Sequence, residues 1–424
     1  MNYSFSLRSL DKRVRYLAWT RFIRSFGRGS TFIFVPLIFI MYYQVSFLTT
    51  GILLGSATVI QSLVQYYSGK WTDLVGRRKI LVYTQIPNIL FYLALFQSVA
   101  ALYPVILVIL FWYLTILINA LQYPAVQAAV ADVTSVQDRM SGYTVLRVMA
   151  NLGIAIGPMV GAYSYVLTGG FQYIFMIAGI ATIAEVVLLY QYMRETFEPN
   201  HKEATKSISN LHRVYKADRL FLLFTAAGII TGFFLRQRGT SLTIFTVLLQ
   251  NEPVQYLAYI WALNGLLVVL LQVPILSIMT RGLNAMFWRG VGVIFYAASF
   301  IILFFSAGLI YLLVFMTIST VGEDFLSPTT QSIITTMAPE NLRGSYIGVY
   351  NLYTSIGSLL GSALGLYVLY ELSSVSEIFW IYIAIGTAIV SAMYFLLGPS
   401  FNDRFEIETV SQPESTQYFV DFRR

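Results

Sequence analysis

Cysteine is absent from the 424 residues, and histidine occurs only twice, at His201 and His212. Without cysteine there are no disulfides, thiolate metal sites or thiol nucleophiles, and the redox compartment leaves no trace. With both histidines in one polar stretch, no apolar segment carries a metalloenzyme cluster such as H-E-x-x-H. No metal, cofactor or enzymatic chemistry is therefore expected. Charge is scarce as well: 11% of residues are Asp, Glu, Lys or Arg, against roughly 25% in a soluble domain. That shortage excludes most water-soluble folds.

What is abundant is apolar surface, 57% of the residues, with a mean hydropathy of +0.69. A bilayer core about 30 Å thick needs about 20 mostly apolar residues per helix. Continuous runs of that kind lie at 17–42, 47–68, 79–101, 103–129, 142–167 and 171–193, and again at 220–248, 254–279, 285–307, 309–336, 344–370 and 377–397. Barrel strands would alternate in short segments, and these runs do not. The fold expected is an all-α membrane protein of twelve spans. The first run is too long and too rich in arginine for a cleaved signal peptide, so it reads as an uncleaved first span.

The net charge of +7 implies topology rather than a nucleic-acid partner. Five of the 27 basic residues fall within spans, namely Arg21, Arg24, Arg28, Arg236 and Arg238, and the other 22 lie at the termini or at the loops and helix ends of one face. The opposite loops carry Glu252, Glu371 and Glu377. By the positive-inside rule both termini are expected in the cytoplasm, with the chain multi-pass in the plasma membrane. The break from Arg194 to Arg219 divides the chain into a six-helix bundle at 1–193, a linker at 194–219, a second bundle at 220–398 and a tail at 399–424.

The halves resemble each other. Pro124, Gln127, Arg139, Gly153, Gly157 and Gly161 recur 204 residues later as Pro328, Gln331, Arg343, Gly357, Gly361 and Gly365. Parallel repeats of six spans place a solute cavity between the halves, near the midplane.

Between the second and third spans the chain reads Gly69-Lys-Trp-Thr-Asp73-Leu-Val-Gly76-Arg77-Arg78. This resembles the signature G-x-x-x-D-x-x-G-R-[KR] of the major facilitator superfamily at every defined position. In the corresponding loop of the second half only Arg281 keeps the pattern. The resemblance implies two pseudo-symmetric six-helix bundles working by alternating access as a monomer. It also implies a charge cluster of Asp73, Arg77 and Asp132 that steadies the outward-facing state. Gly69 and Gly76 are expected to allow a tight turn and close helix approach, and Asp73 to sit at a helix N-terminus where the dipole favours an anion.

The fifth span carries Gly153-Ile-Ala-Ile-Gly157-Pro158-Met-Val-Gly161-Ala162, similar to the family's antiporter motif G-x-x-x-G-P-x-x-G-G except for its last position. Small residues every fourth position make a face for close helix packing, and Pro158 bends the helix. The motif implies proton-coupled antiport.

Charges inside a bilayer cost about 2.5–3.5 kcal/mol each and face a partner or a wet cavity. By the family resemblance, spans one, four, seven and ten line that cavity. Arg28 is near mid-depth, Arg24 is intermediate, and Arg21 snorkels at the end of its span. Arg236 and Arg238 point about 200° apart, so only one faces the cavity. The match of Arg28-Gly29-Ser30 with Arg238-Gly239-Thr240, at an offset of 210, favours Arg238. The expected substrate residues are Arg24, Arg28, Asn119, Gln122 and Arg238. A carboxylate in apolar surroundings resists ionisation, which marks Glu323 and Asp324 as proton carriers. Glu185 is expected to be structural. Gln61, Gln65 and Gln272 serve either the cavity or interhelical bonds. The function expected is export of a small organic solute by proton antiport. The alternative is uptake or exchange of an organic anion, suggested by the arginines.

Overall fold

In the computed structural model, residues 11–196, 218–279, 284–339 and 342–411 are described. His201, His212 and Arg281 lie outside them. Capping side chains set many helix starts: Asp11 accepts from the Arg13 backbone, Ser46 from Thr49, Ser135 from Asp138, Asp218 from Phe221 and Asn284 from Phe287. The side chain of Arg13 also bonds Asp11 and holds that carboxyl below its ordinary range.

Twelve helices of the described residues are long and apolar enough to cross a membrane. They are α1 (Lys12–Tyr42), α2 (Phe47–Val75), α3 (Arg77–Ala100), α4 (Val105–Val133), α5 (Ser141–Thr168) and α6 (Gln172–Tyr192) in the first half. The second half has α7 (Arg219–Leu249), α8 (Val254–Met279), α9 (Ala285–Phe305), α10 (Leu309–Met337), α11 (Arg343–Glu371) and α12 (Ser373–Phe401). α1 begins at Lys12 rather than at the apolar run, because its capped first turns continue the helix through charged residues. Arg147 and Arg289 lie within α5 and α9, six and four residues from their starts, and are intramembrane rather than helix-end charges. Large apolar side chains face outward, with Leu167 83%, Leu396 79% and Ile310 75% exposed, as a lipid-facing surface requires.

The two glycine ladders do the same work in the two halves. A Cβ at Gly153 or Gly157 would meet the carbonyl oxygens of Phe22 and Phe26 on α1 at 2.5 and 2.4 Å. A Cβ at Gly357 or Gly361 would meet those of Ile229 and Phe233 on α7 at 2.0 and 2.4 Å. Only glycine lets these backbones approach so closely. Gly161 packs on Ser30 and Phe34, Gly365 on the Gln237 side chain, and Pro158 touches Gly29. The partner positions on α1 and α7 differ by 207 residues at each rung. The structural equivalent of Arg28 is therefore Leu235, not Arg238, and the 210-residue match is a local coincidence.

α1 and α7 are both discontinuous. α1 breaks after Phe32, restarts at Val35–Leu37 around Pro36 and ends in a π-helical turn at Ile38–Tyr42. α7 tightens into a 3-10 turn at Arg236–Arg238 and ends in a π-helical turn at Phe245–Leu249. Proline removes an N–H and cannot continue the ladder; such broken helices flank binding sites in transporters with repeats.

The halves touch along α2 with α11 and along α5 with α8. Ser62 accepts from Ser355 at 2.6 Å, and the Tyr163 and Tyr259 hydroxyls lie 2.9 Å apart. One apolar core contains Ile33 and Phe34 of α1 together with Leu242 and Phe245 of α7, and so joins both halves on the face away from the N-terminus. On the terminal face there are two separate cores, one around Val14, Val126 and Leu189, the other around Phe221, Ile334 and Tyr394. The halves thus share one core at one face and keep separate cores at the terminal face, where Tyr66 of α2 still reaches Gly348 of α11.

Candidate functional site

Between the halves lies a cavity of about 310 Å³, lined by Arg28 and Phe32 of α1, Asn119 of α4, Arg236 of α7 and Trp261 of α8, among others. A second chamber of about 390 Å³ shares Arg28 and Gln61 with it and extends past Arg21, Gln65, Tyr123 and Asn351 toward the terminal face. A third, of about 210 Å³, shares Arg236 and Trp261 with the first and reaches Arg238, Tyr296 and Glu323. On the side of the shared core, the Phe32 ring meets Trp261 edge-on at 5.0 Å.

Arg238 is buried in the second half. Its guanidinium donates to Glu323 at 2.8 Å, to the Tyr296 hydroxyl at 3.0 Å and to the Met316 sulfur at 3.2 Å. It also lies over the Trp261 ring at 5.2 Å. Asn264 donates to the same Glu323 oxygen at 3.0 Å and to Thr320 at 2.9 Å. Arg238 thus meets a counter-ion rather than the main cavity, and Arg236 is the α7 arginine that faces it. The 3-10 turn separates the two side chains as the sequence anticipated, but with the opposite assignment. Arg236 donates to Ser362 at 3.0 Å and to the Leu54 carbonyl at 3.4 Å, neither of them charged. Arg28 is exposed to the cavity and makes no hydrogen bond or ion pair with a described side chain.

Asp324 follows Glu323 yet points elsewhere. It is 1% exposed, and neither carboxylate oxygen has a hydrogen-bond partner among the described residues. An unpaired buried carboxylate is costly when ionised. Arg147, on α5 of the other half, is near enough to act electrostatically on both Glu323 and Asp324. Its position six residues inside an apolar run was the available signal that it belonged with the intramembrane charges.

Arg24 and Gln122 do not reach the cavity. Arg24 donates through Nε to Glu185 at 2.9 Å and through Nη2 to Gln122 at 2.9 Å. Gln122 in turn donates to Thr84 at 2.6 Å and to the Ile80 carbonyl at 3.0 Å. All three side chains are buried inside the first half. Glu185 neutralises Arg24 there, which is why neither faces solute. Asn119 does line the cavity, its amide held by the Thr115 carbonyl at 2.8 Å.

At the signature loop, Arg77 is the hub. It pairs with Asp73 at 3.0 Å and with Asp132 at 3.1 Å, and donates to the Thr72 carbonyl at 3.1 Å. The anion at the N-terminus of α3 is Glu195, which accepts from the backbone N–H groups of Arg77 and Arg78 at 2.9 and 3.1 Å. Asp73 does not occupy that position, because the helix dipole is already met from beyond α6. Gly76 has φ +104°, a conformation that favours glycine. Gly69 is different: a Cβ there would meet nothing within 4 Å, so no close approach requires it.

Arg289 was also missed. It is 2% exposed, donates to the Tyr350 hydroxyl at 2.7 Å and to Thr330, and lies over the rings of Phe224 and Tyr394 at 5.0 and 4.7 Å. Its role is packing inside the second half.

The family model described as Major Facilitator Superfamily matches residues 17–362 and 288–418. A protein of Planococcus maritimus named Na(+), Li(+), K(+)/H(+) antiporter is 25% identical over 345 residues, covering 73% of this chain and 79% of that protein. Multidrug resistance protein 2 of Bacillus subtilis (strain 168) is 24% identical over 336 residues, covering 75% of this chain and 79% of the relative. Among solved structures, a POT family transporter in complex with a thioalcohol-conjugated peptide superposes with a TM-score of 0.77 at 14% identity, over 91% of this chain and 96% of that one. At that identity the likeness concerns the fold.

Proposed function

The chain belongs to the major facilitator superfamily, and from that premise we propose that it exports a small organic solute by proton-coupled antiport. It is a multi-pass membrane transporter and not an enzyme. The observation that carries the coupling is Asp324, a carboxylate buried between the halves' charged groups with neither oxygen bonded. Protonated, it is neutral and suits its apolar surroundings. Ionised, it attracts Arg147 of the opposite half and so favours a different arrangement of the two bundles. A group whose charge state biases two arrangements is what couples a proton to alternating access. The similarity to the Planococcus maritimus Na(+), Li(+), K(+)/H(+) antiporter supports proton-driven exchange, and the similarity to multidrug resistance protein 2 supports an organic solute.

The basic residues on the terminal face favour cytoplasmic termini in the plasma membrane. In that orientation the second chamber extends inward and the Phe32–Trp261 contact closes the outer side. Asp73, Arg77 and Asp132 act as the gate on the terminal face, and a single copy of the chain suffices for the cycle.

The test is reconstitution into liposomes with an internal pH-sensitive dye, an imposed pH gradient, and addition of aromatic acids, aromatic amines or alkali cations. Solute-dependent proton flux that disappears in Asp324→Asn is expected. Solute flux indifferent to collapse of the gradient overturns the coupling.

A further inference from the structure

We propose that the main cavity binds an amphipathic organic anion, with its acidic group clamped between Arg28 and Arg236 and its apolar body against Trp112, Trp261 and Phe32. This rests on the transport reading and names the substrate class for the same cavity.

The argument is one of uncompensated charge. Among the intramembrane arginines of α1 and α7, two are neutralised: Arg24 by Glu185 and Arg238 by Glu323. Those pairs engage Glu185 and Glu323, and Asp324 is not among the residues lining the main cavity. Arg28 and Arg236 remain, one from each half, both lining one cavity and close enough to act electrostatically on each other. No carboxylate is among the described residues lining that space, and its remaining polar lining is neutral, including Thr58, Gln61, Asn119 and Thr240. Two guanidiniums held together at membrane depth repel and are poorly solvated. A carboxylate or phosphonate between them removes both costs, and the planar forks suit it in bidentate fashion.

The rest of the wall selects for an aromatic or branched body. Trp112 and Trp261 lie on opposite halves, and Phe32 packs edge-on against Trp261. The volume of about 310 Å³ is at the lower end for organic ligands, which fill roughly 300–1,000 Å³. A bound acid bridges the two bundles through one arginine of each, so release of the anion frees them to move apart. Arg238 is a bystander here, since its charge is spent on Glu323.

The test uses the full chain purified in detergent, with no gradient present. 4-Phenylbutyrate, 2-naphthoate and indole-3-acetate are titrated beside amines of the same carbon skeletons, with melting temperature and tryptophan fluorescence as readouts. The acids are expected to raise the melting temperature and quench fluorescence, and the amines to do neither. Arg28→Gln and Arg236→Gln should each weaken acid binding by about tenfold or more. Should either variant fail to fold, Arg28→Lys keeps the charge and loses the fork, and should weaken acids without gaining amines. Equal or better binding of amines, binding of neither class, or acid binding unchanged in the arginine variants overturns the proposal. Because no proton flux is measured, a negative result here leaves the coupling reading standing, and acid binding without proton-coupled flux does the reverse.

Discussion

Arg238 on α7 donates to Glu323 on α10 at 2.8 Å, and Asn264 donates to the same oxygen at 3.0 Å. The bond spans 85 residues of sequence and decides the fate of two adjacent carboxylates. Glu323 is committed to a cation, while Asp324, next in the chain, has no hydrogen-bond partner among the described residues.

The two carboxylates should therefore respond differently to neutralisation. Glu323→Gln leaves Arg238 buried without a counter-ion and should cost about 1.5–3 kcal/mol of stability. Asp324→Asn removes no bond and should leave the melting temperature nearly unchanged while abolishing proton coupling. Melting curves of both variants, set beside gradient-driven flux, check this; a stable Glu323→Gln and an unstable Asp324→Asn would reverse the assignment.

Arg24 and Glu185 form a buried pair remote from the cavity. Removing one partner strands the other charge, at about 3–5 kcal/mol. Glu185→Gln should melt well below the parent protein. The double change Arg24→Met with Glu185→Leu should recover most of the loss, and the order of preference among solutes should not move. A changed solute preference in the recovered protein would give Arg24 the binding role that its burial denies.

The two signature glycines should part company on substitution by alanine. At Gly76 the backbone is left-handed and a Cβ would lie 2.5 Å from the Glu195 carboxylate, so strain of about 1–3 kcal/mol is expected. At Gly69 the space is open and the residue is helical, so Gly69→Ala should be neutral or stabilising by up to ~1 kcal/mol. Thermal melting of the two single variants measures the difference directly, and equal effects would contradict it.

Asp73→Asn should slow transport severalfold with little loss of stability. Its carboxylate is half exposed and pairs with Arg77, which keeps Asp132; exposed pairs contribute about 0–1 kcal/mol. Initial rates in liposomes, normalised to folded protein, read the gate apart from the fold. An unchanged rate removes the gating role.

The signature loop shows how far a motif carries. The family resemblance implied Arg77 and Asp132 as partners, and they pair at 3.1 Å. It could not identify Glu195, which lies 118 residues from Arg77 and belongs to no repeated pattern. The arginines of α7 show a similar limit. Helical periodicity required Arg236 and Arg238 to diverge, yet periodicity has no absolute phase. A three-residue match with α1 suggests one phase, whereas packing against the glycines of α11 sets it three residues away.

The number of spans, the duplication and the family follow from the sequence by itself, because hydrophobic length, glycine spacing and loop charge are properties of segments taken singly. Which charges stand alone is a property of pairs. The sequence presents arginines and carboxylates at similar depths, and only the folded bundle decides that Arg24 and Arg238 are neutralised while Arg28, Arg236 and Asp324 are not. The physical reason is that an ion pair forms or fails over a few ångströms. At that range the rotation of one helix by a fraction of a turn decides whether a charge meets a partner or faces the cavity.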